Sequence, residues 1–378
     1  MARRKHDEGS VFQRKDGRWV AQVRLENGKK KQRYFKPDQE KEARIALRKM
    51  LNEKEQGTLP TGPQQTLKAY LEQWLEQRYK LAAIRIGTYD TYRAILRNHI
   101  VPSLGHIPLQ KLTPQHIQAF YTKKLDEGLS TGTVKCFHAI LHGALEQAVR
   151  WNLVGRNVSD LVTSPTLKRH EMQTLTPEQA QRLLEAARGR RLEALLTVAL
   201  TTGMRRGELL GLHWQDIDFT EGCIHVRRSV RRLGKIGLVA SEPKTQRSKR
   251  KIMVPPFVID VLKQHRERLP AMREHVGTRW KEQDVVFSNK YGGYMDVAVL
   301  SHNFKRLLQR AGLPNIRFHD LRHTTASLLA KLKVHPKIVQ EVLGHSNISM
   351  TLDIYSHMFP SEHAEAMGKM DDLFKPEK

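Results

Sequence analysis

Near the N-terminus hydrophobic and polar positions alternate with a period of two; further along a helical period prevails. Trp19, Ala21, Val23 and Leu25 fall on one face of an extended chain, and Arg18, Val20, Gln22 and Arg24 on the other. That is the pattern of a half-buried strand. Asp16-Gly17 and Asn27-Gly28 stand on either side of this run, and such dipeptides favour tight hairpin turns because both residues tolerate positive φ. A run beginning at Ser10 precedes it, and one holding Arg33, Tyr34 and Phe35 follows. Ala43, Ala46, Leu47, Met50 and Leu51 then recur at helical spacing. Residues from Ser10 to Glu53 thus read as a three-stranded sheet backed by a helix.

Gln56-Gly57-Thr58-Leu59-Pro60-Thr61-Gly62-Pro63 has the composition of a flexible linker stiffened by proline. A helical region follows, from about Thr66 to Asn157. Leu67, Tyr70, Leu71, Trp74 and Leu75 form one apolar stripe, and Phe137, Ile140, Leu141, Ala144, Leu145 and Ala148 another. Thr113-Pro114 supplies an N-cap and a first helical position. Several such helices joined by short turns predict a bundle. A second linker is expected around Ser164–His170, after which Thr176 and Gln179 make a capping box. The last domain is expected to be mainly helical, with strand-like runs at Cys223–Val230 and Arg250–Val254. The fold class is therefore multidomain: a small sheet-plus-helix domain over 1–57, an all-α domain over 64–160 and a mainly α, α+β domain over 174–378.

Charge narrows the partner. The 65 Lys and Arg outnumber the 39 Asp and Glu, giving a net charge of +26 spread along the whole chain. On folded-domain composition this is the electrostatic footprint of a nucleic-acid binder, although ribosomal or membrane-surface binding would carry the same sign. The polar strand face bearing Arg18, Gln22 and Arg24 suits a DNA major groove. Arg93, Arg97, Lys123, Lys124 and Lys135, between the helical stripes, are candidates to clamp a duplex. No apolar run approaches the roughly 20 residues a membrane helix needs. Met1–Asp7 is basic with no apolar segment behind it, so a signal peptide is not expected. Cys136 and Cys223 are far apart and lack CxxC partners, which fits reduced thiols and a cytoplasmic protein.

Chemistry gathers near the C-terminus. Phe318-His319-Asp320-Leu321-Arg322-His323-Thr324, Leu343-Gly344-His345-Ser346 and Tyr355-Ser356-His357 bring together a guanidinium, imidazoles and a phenol. Arginine grips phosphate through a fork of N–H groups, histidine moves protons near neutral pH, and tyrosine can be a covalent nucleophile. Upstream, Thr202-Gly203-Met204-Arg205-Arg206-Gly207-Glu208-Leu209 joins a glycine turn to a helix start, with Glu208 placed to pin a guanidinium. Lys244 lies between the two strand-like runs, in or beside a hairpin loop. His319 and His323, at i and i+4, invite a metal reading. The zinc pattern, however, needs a glutamate where Asp320 stands, and no third ligand is evident. No metal or other cofactor is expected, and His323 reads as a histidine capping a core.

This constellation resembles the tyrosine recombinase family of the phage-integrase type. The family's TGxRxxEL segment is matched by Thr202–Leu209, which places its first arginine at Arg205. Its hairpin lysine is matched by Lys244, its HxLRH segment by His319 and Arg322, its LGH segment by His345, and its nucleophile by Tyr355. Order and approximate spacing agree across 174–360. Residues 66–157 resemble the family's helical core-binding domain, and 10–53, less specifically, the arm-binding domain of mobile-element integrases.

The resemblance implies a site-specific recombinase that cleaves and rejoins DNA through a 3′-phosphotyrosyl intermediate, integrating or excising a phage or integrative element. Arg205 and Arg322 would hold the charge that builds on the nonbridging oxygens, with Glu208 in support. Tyr355 would attack, Lys244 would protonate the leaving 5′ oxygen, His319 would serve as acid and base, and His345 would hydrogen-bond the phosphate. Implied partners are double-stranded attachment sites of core and arm type and three further copies of the chain in a tetramer on DNA. A DNA-bending protein and a directionality factor are candidate accessory partners; the expected setting is a bacterial cytoplasm, on the nucleoid when bound. The apolar positions Ala364, Met367, Met370 and Phe374 in the tail suggest docking onto a neighbouring protomer. Two other readings use the same features: a DNA-binding protein without catalysis, and a type IB topoisomerase.

Overall fold

The computed structural model describes residues 9–25, 28–56, 59–60, 62–166, 173–234, 236–241, 249–345 and 347–358. The chain divides into two compact units, Met1–Arg169 and His170–Lys378.

The first unit begins with β1 (Ser10–Gln13), β2 (Trp19–Arg24) and β3 (Lys30–Phe35), an antiparallel sheet in the order β1-β2-β3. Helix α1 (Glu40–Glu55) covers one face. Val23 and Met50 meet there with Leu59, which draws the start of the expected linker into this small core. Lys31 also donates to the carbonyl of Pro60, and Gln110 to that of Gly62, so the described linker residues are held rather than free. Val20 differs from its expected surroundings. It lies on the polar face yet is fully buried, because its cross-strand neighbours on that face are Phe12 and Tyr34.

The helical part comprises α2 (Leu67–Lys80), α3 (Ile86–Ile95), α4 (Val101–Leu104), α5 (Pro114–Asp126) and α6 (Thr131–Arg150). The two apolar stripes meet in one core that includes Leu67, Trp74, Phe137 and Leu141. Thr113 caps α5 as its sequence implies, accepting the N–H of His116. Between α3 and α4 the chain makes a π-helical turn, Leu96–Ile100. Pro102 has no N–H to donate to the carbonyl of Asn98, and the wider turn absorbs that lost bond.

The second unit opens with α7 (Pro177–Ala187), α8 (Glu193–Thr202) and α9 (Arg206–Leu210). Thr176 and Gln179 form the expected capping box. Helix α8 is apolar on nearly every side and buried throughout its middle, so it forms the axis of the unit's core. Strands β4 (Ile217–Asp218), β5 (Cys223–Val226) and β8 (Arg250–Met253) make one sheet, and β6 (Ser229–Leu233) with β7 (Gly237–Ser241) a separate ribbon. The single run expected over Cys223–Val230 is thus two strands. Between them Arg227 and Arg228 both turn to the buried carboxylate of Asp216.

Further helices follow: α10 (Pro256–Glu267), α11 (Leu269–Val276), α12 (Val297–Arg310), α13 (Asp320–Lys331), α14 (Pro336–Leu343) and α15 (Ser349–Met358). Ala326, Val339, Leu343 and Ile354 join the last three in a small core of their own. At the unit's entrance, the N–H of Leu175 donates to Thr324 Oγ1 on α13 at 3.1 Å. Lys244 and the tail from Ser361 lie outside the described residues.

Candidate active site

Two glycine turns organise the catalytic candidates. Helix α8 ends at Gly203, whose φ of 58° is the left-handed geometry glycine adopts freely. A Cβ there would lie 2.3 Å from Leu343 Cδ2, so the turn packs tightly against α14. The chain then reverses into α9 with Arg205 at its N-cap. Glu208, 4 % exposed, receives Arg205 Nη1 on Oε1 at 2.9 Å and the Arg205 backbone N–H on Oε2 at 3.0 Å. Burial alone would raise the Glu208 carboxyl, but Arg250 and then Arg205 hold it below the usual range, so it stays ionised.

Arg322, on the first turn of α13, reaches back and donates Nη1 to the carbonyl of Gly203 at 2.8 Å. It is 4 % exposed, and its Nη2 is buried with no hydrogen-bond partner among the described residues. Burial, then the charge of Arg205, push this guanidinium down to about 9, which leaves it charged at neutral pH.

The second turn ends α14 at Gly344, with φ 66°. Its carbonyl accepts Arg205 Nη2 at 2.8 Å, which ties the first turn to the second. His345 follows, buried, with Nδ1 2.9 Å from Thr351 Oγ1. Burial, Arg322 and Arg205 push its imidazole down to about 4. It is therefore neutral at pH 7. In the tautomer whose Nδ1 accepts from Thr351, the Nε2–H is the group left to donate.

His319 stands at the N-cap of α13 rather than inside the helix, and its ring meets His323 edge-on at 5.7 Å. Burial lowers both imidazoles, each influenced further by Arg322. Tyr355, on α15, packs against the small core of α13–α15, and its hydroxyl donates to the carbonyl of Val334. Burial raises its phenol. Arg205 is thus bonded to Glu208 and to the turn before His345, and Arg322 to the turn before Arg205, while the Tyr355 hydroxyl is held by backbone. For a metal, Asp218, Glu221 and Cys223 each bring a ligand atom within 4.8 Å of the others. Glu221 is already bonded to Lys251, and Asp218 Oδ1 accepts the N–H groups of Thr220 and Glu221.

The DNA-contact candidates separate by exposure. Arg18, Arg24, Arg93, Arg97, Lys123 and Lys135 are exposed, and Gln22 is half-buried. Arg18 pairs with Asp16 at 2.6 Å, and Arg14 and Arg18 both stand over the Tyr34 ring. Lys124 is 8 % exposed and paired with Glu127 at 2.7 Å, so its charge is already committed. Arg250 reads in sequence only as the start of a strand. Its guanidinium is buried against Glu208, and within the run Lys249-Arg250-Lys251 nothing local marks it.

Comparison with known proteins decides what this geometry belongs to. The family model for the phage integrase family matches residues 173–362, half of the chain. That for the phage integrase N-terminal SAM-like domain matches 66–125. The chain belongs to the phage integrase family. A tyrosine recombinase XerC-like protein of Caldanaerobacter subterraneus is 32 % identical over 369 residues, covering 93 % of this chain and 94 % of the relative. Among solved structures, the Tn1549 transposon integrase bound to a circular intermediate DNA aligns with a TM-score of 0.69 and 25 % identity, over 80 % of this chain and 99 % of that one. A lambda integrase tetramer on a Holliday junction has the same fold, with a TM-score of 0.56 and 19 % identity, over 93 % of this chain and 96 % of that one. This integrase-family chain is accordingly a tyrosine-type site-specific recombinase of phage or mobile-element kind. No helix among its described residues is long and apolar enough to cross a membrane.

Proposed function

We propose that Tyr355 is the nucleophile of this recombinase and that Arg205, Arg322 and His345 hold the scissile phosphate. The observation that carries this reading is the anchoring of both guanidiniums on the backbone of the two glycine turns, Arg322 on Gly203 and Arg205 on Gly344. Groups fixed before substrate arrives need no reorganisation as charge develops on the nonbridging oxygens. Arg322 keeps a buried N–H without a partner among the described residues, a costly state in the absence of an anion.

In the proposed step the Tyr355 oxygen attacks phosphorus in line, forming a 3′-phosphotyrosine as the P–O5′ bond breaks. Lys244 protonates the departing 5′ oxygen, and the phenolic proton passes to His319. A 5′ hydroxyl from another strand then attacks the phosphotyrosine, with the protons moving in reverse. Glu208 holds Arg205 in place.

Around this site, residues 10–53 would read arm-type DNA through the face bearing Arg18, Gln22 and Arg24. The helices over 64–160 would grip core DNA through Arg93, Arg97, Lys123 and Lys135. The likeness to a lambda integrase tetramer on a Holliday junction supports four copies acting together. Core and arm attachment sites, a DNA-bending protein, a directionality factor and a place on the bacterial nucleoid complete the reading.

The test is a nicked suicide duplex from the ends of the element that carries the gene, incubated without added metal. A protein–DNA adduct on a denaturing gel with wild type, absent with Tyr355→Phe, is expected. An adduct that survives Tyr355→Phe overturns the assignment.

A further inference from the structure

Arg250 links the segments that carry the proposed phosphate ligands. It opens β8 opposite Val226 of β5, and its side chain is 8 % exposed. Nε donates to the carbonyl of Val342 at 2.9 Å, and Nη2 to Glu208 Oε2 at 3.0 Å. That same oxygen accepts the backbone N–H of Arg205, while Oε1 accepts Arg205 Nη1. Arg205 in turn donates to the carbonyl of Gly344, the residue before His345. The contacts close a ring from Arg250 through Glu208, Arg205 and the Gly344 turn, and back through Val342. A Cβ on Gly344 would lie 3.0 Å from Arg250 Nη1 and 3.1 Å from Cζ, so the turn rests directly on the guanidinium.

We propose that Arg250 is a positioning residue for strand cleavage, fixing the Arg205 guanidinium and the His345 turn in one frame. The proposal rests on the reading of Arg205 and His345 as phosphate ligands. Charge balance alone does not explain the arrangement. Glu208 is already paired with Arg205, and any cation would neutralise it further. What only a guanidinium supplies is a rigid fork with N–H groups in fixed directions. Here one prong takes a carboxylate from α9 and the other a carbonyl from α14. Stability alone is also a poor account, because Nη1 is buried without a partner among the described residues and such a group is unfavourable.

Arg250→Lys keeps the charge and removes the fork, so it separates the two roles. The full-length wild type, Arg250→Lys, Glu208→Gln and the double variant would be compared. Adduct formation on the suicide duplex would be followed in single turnover at saturating protein, alongside core-duplex affinity and the thermal midpoint. Arg250→Lys is expected to slow adduct formation by about 10–100-fold, by analogy with the outer-shell groups that orient metal ligands. Affinity should stay near wild type and the thermal midpoint should fall only by the few degrees that losing one buried hydrogen bond brings, and the double variant should be no slower than Glu208→Gln, since both changes break one chain of contacts. Cleavage by Arg250→Lys within about twofold of wild type would overturn the proposal. So would losses that multiply in the double variant, or a slower rate matched by equal losses of affinity or folding. A wild type that forms no adduct removes the active-site reading and this one together. Wild-type cleavage left untouched by Arg250→Lys removes only the role of Arg250.

Discussion

The hydroxyl of Tyr355 donates its hydrogen bond to the backbone carbonyl of Val334. Val334 lies in the turn that joins α13 to α14, just after Lys333 with its positive φ of 56°. The proton of the proposed nucleophile is therefore held by an uncharged acceptor, and burial raises the phenol further. In the proposed attack on phosphorus this bond would be exchanged for one to a base.

That bond sets the cost of removing the oxygen. Tyr355→Phe is expected to destabilise the protein by only about 0.5–1.5 kcal/mol, the net value of one hydrogen bond, while abolishing the adduct. Urea unfolding beside a gel-shift titration checks this. A large loss of stability or of DNA affinity would mean that the residue's role is not confined to chemistry.

Gly203 is expected to be far less replaceable than a glycine of similar backbone geometry elsewhere. Gly189, with φ 70°, has open space within 4 Å of where a Cβ would stand, whereas a Cβ on Gly203 would press on Leu343 and Thr325. Gly189→Ala should cost about 1–2 kcal/mol from backbone alone. Gly203→Ala should add a further 1–3 kcal/mol or so for overpacking, and should disturb the carbonyl that anchors Arg322. Denaturant midpoints of the two variants, taken side by side, decide it.

His345 makes stability fall in mild acid. Its imidazole is pushed down to about 4 in the folded chain, against about 6.5 when unfolded. Between those values the unfolded state binds the extra proton, so unfolding free energy declines as pH falls, by at most about 1.4 kcal/mol per unit. The decline ends once pH is below both values. His345→Gln should flatten that part of the curve in denaturant titrations from pH 7 to 4. His265, His319 and His323 are lowered as well and contribute in the same direction.

Lys123 and Lys124 are neighbours with opposite expected behaviour. Removing an exposed phosphate contact lowers the slope of log affinity against log salt by about 0.9. Lys123→Ala should do so. Lys124→Ala should leave the slope unchanged and lower stability instead, because Lys124 is nine-tenths buried beside Glu127. Binding titrations at several salt concentrations distinguish the two.

Much of the architecture was legible because it is locally encoded. The hairpins follow from alternation and turn dipeptides, α5 and α7 from their caps, and the turn before Arg205 from Gly203. Spacing brought forward Arg205, His319, Arg322, His345 and Tyr355 because each stands in a short motif. What was not legible depends on partners distant in sequence. Val20 is buried by Phe12 and Tyr34, which only pairing register brings beside it. Arg227 and Arg228 interrupt a strand to reach Asp216. Arg250 meets Glu208 across 42 residues. Lys124 looks like any helix lysine until its burial is known. A one-dimensional pattern records none of these.

The bond from the Leu175 N–H to Thr324 ties the entrance of the second unit to α13. Among the described residues of the second unit Leu175 is the first in its core, and Thr324 lies two residues beyond Arg322 on the same helix. The entrance of the unit is therefore fastened to α13 itself, close to a guanidinium of the proposed site. One helix thus serves both as the footing of the incoming chain and as the mount of Arg322.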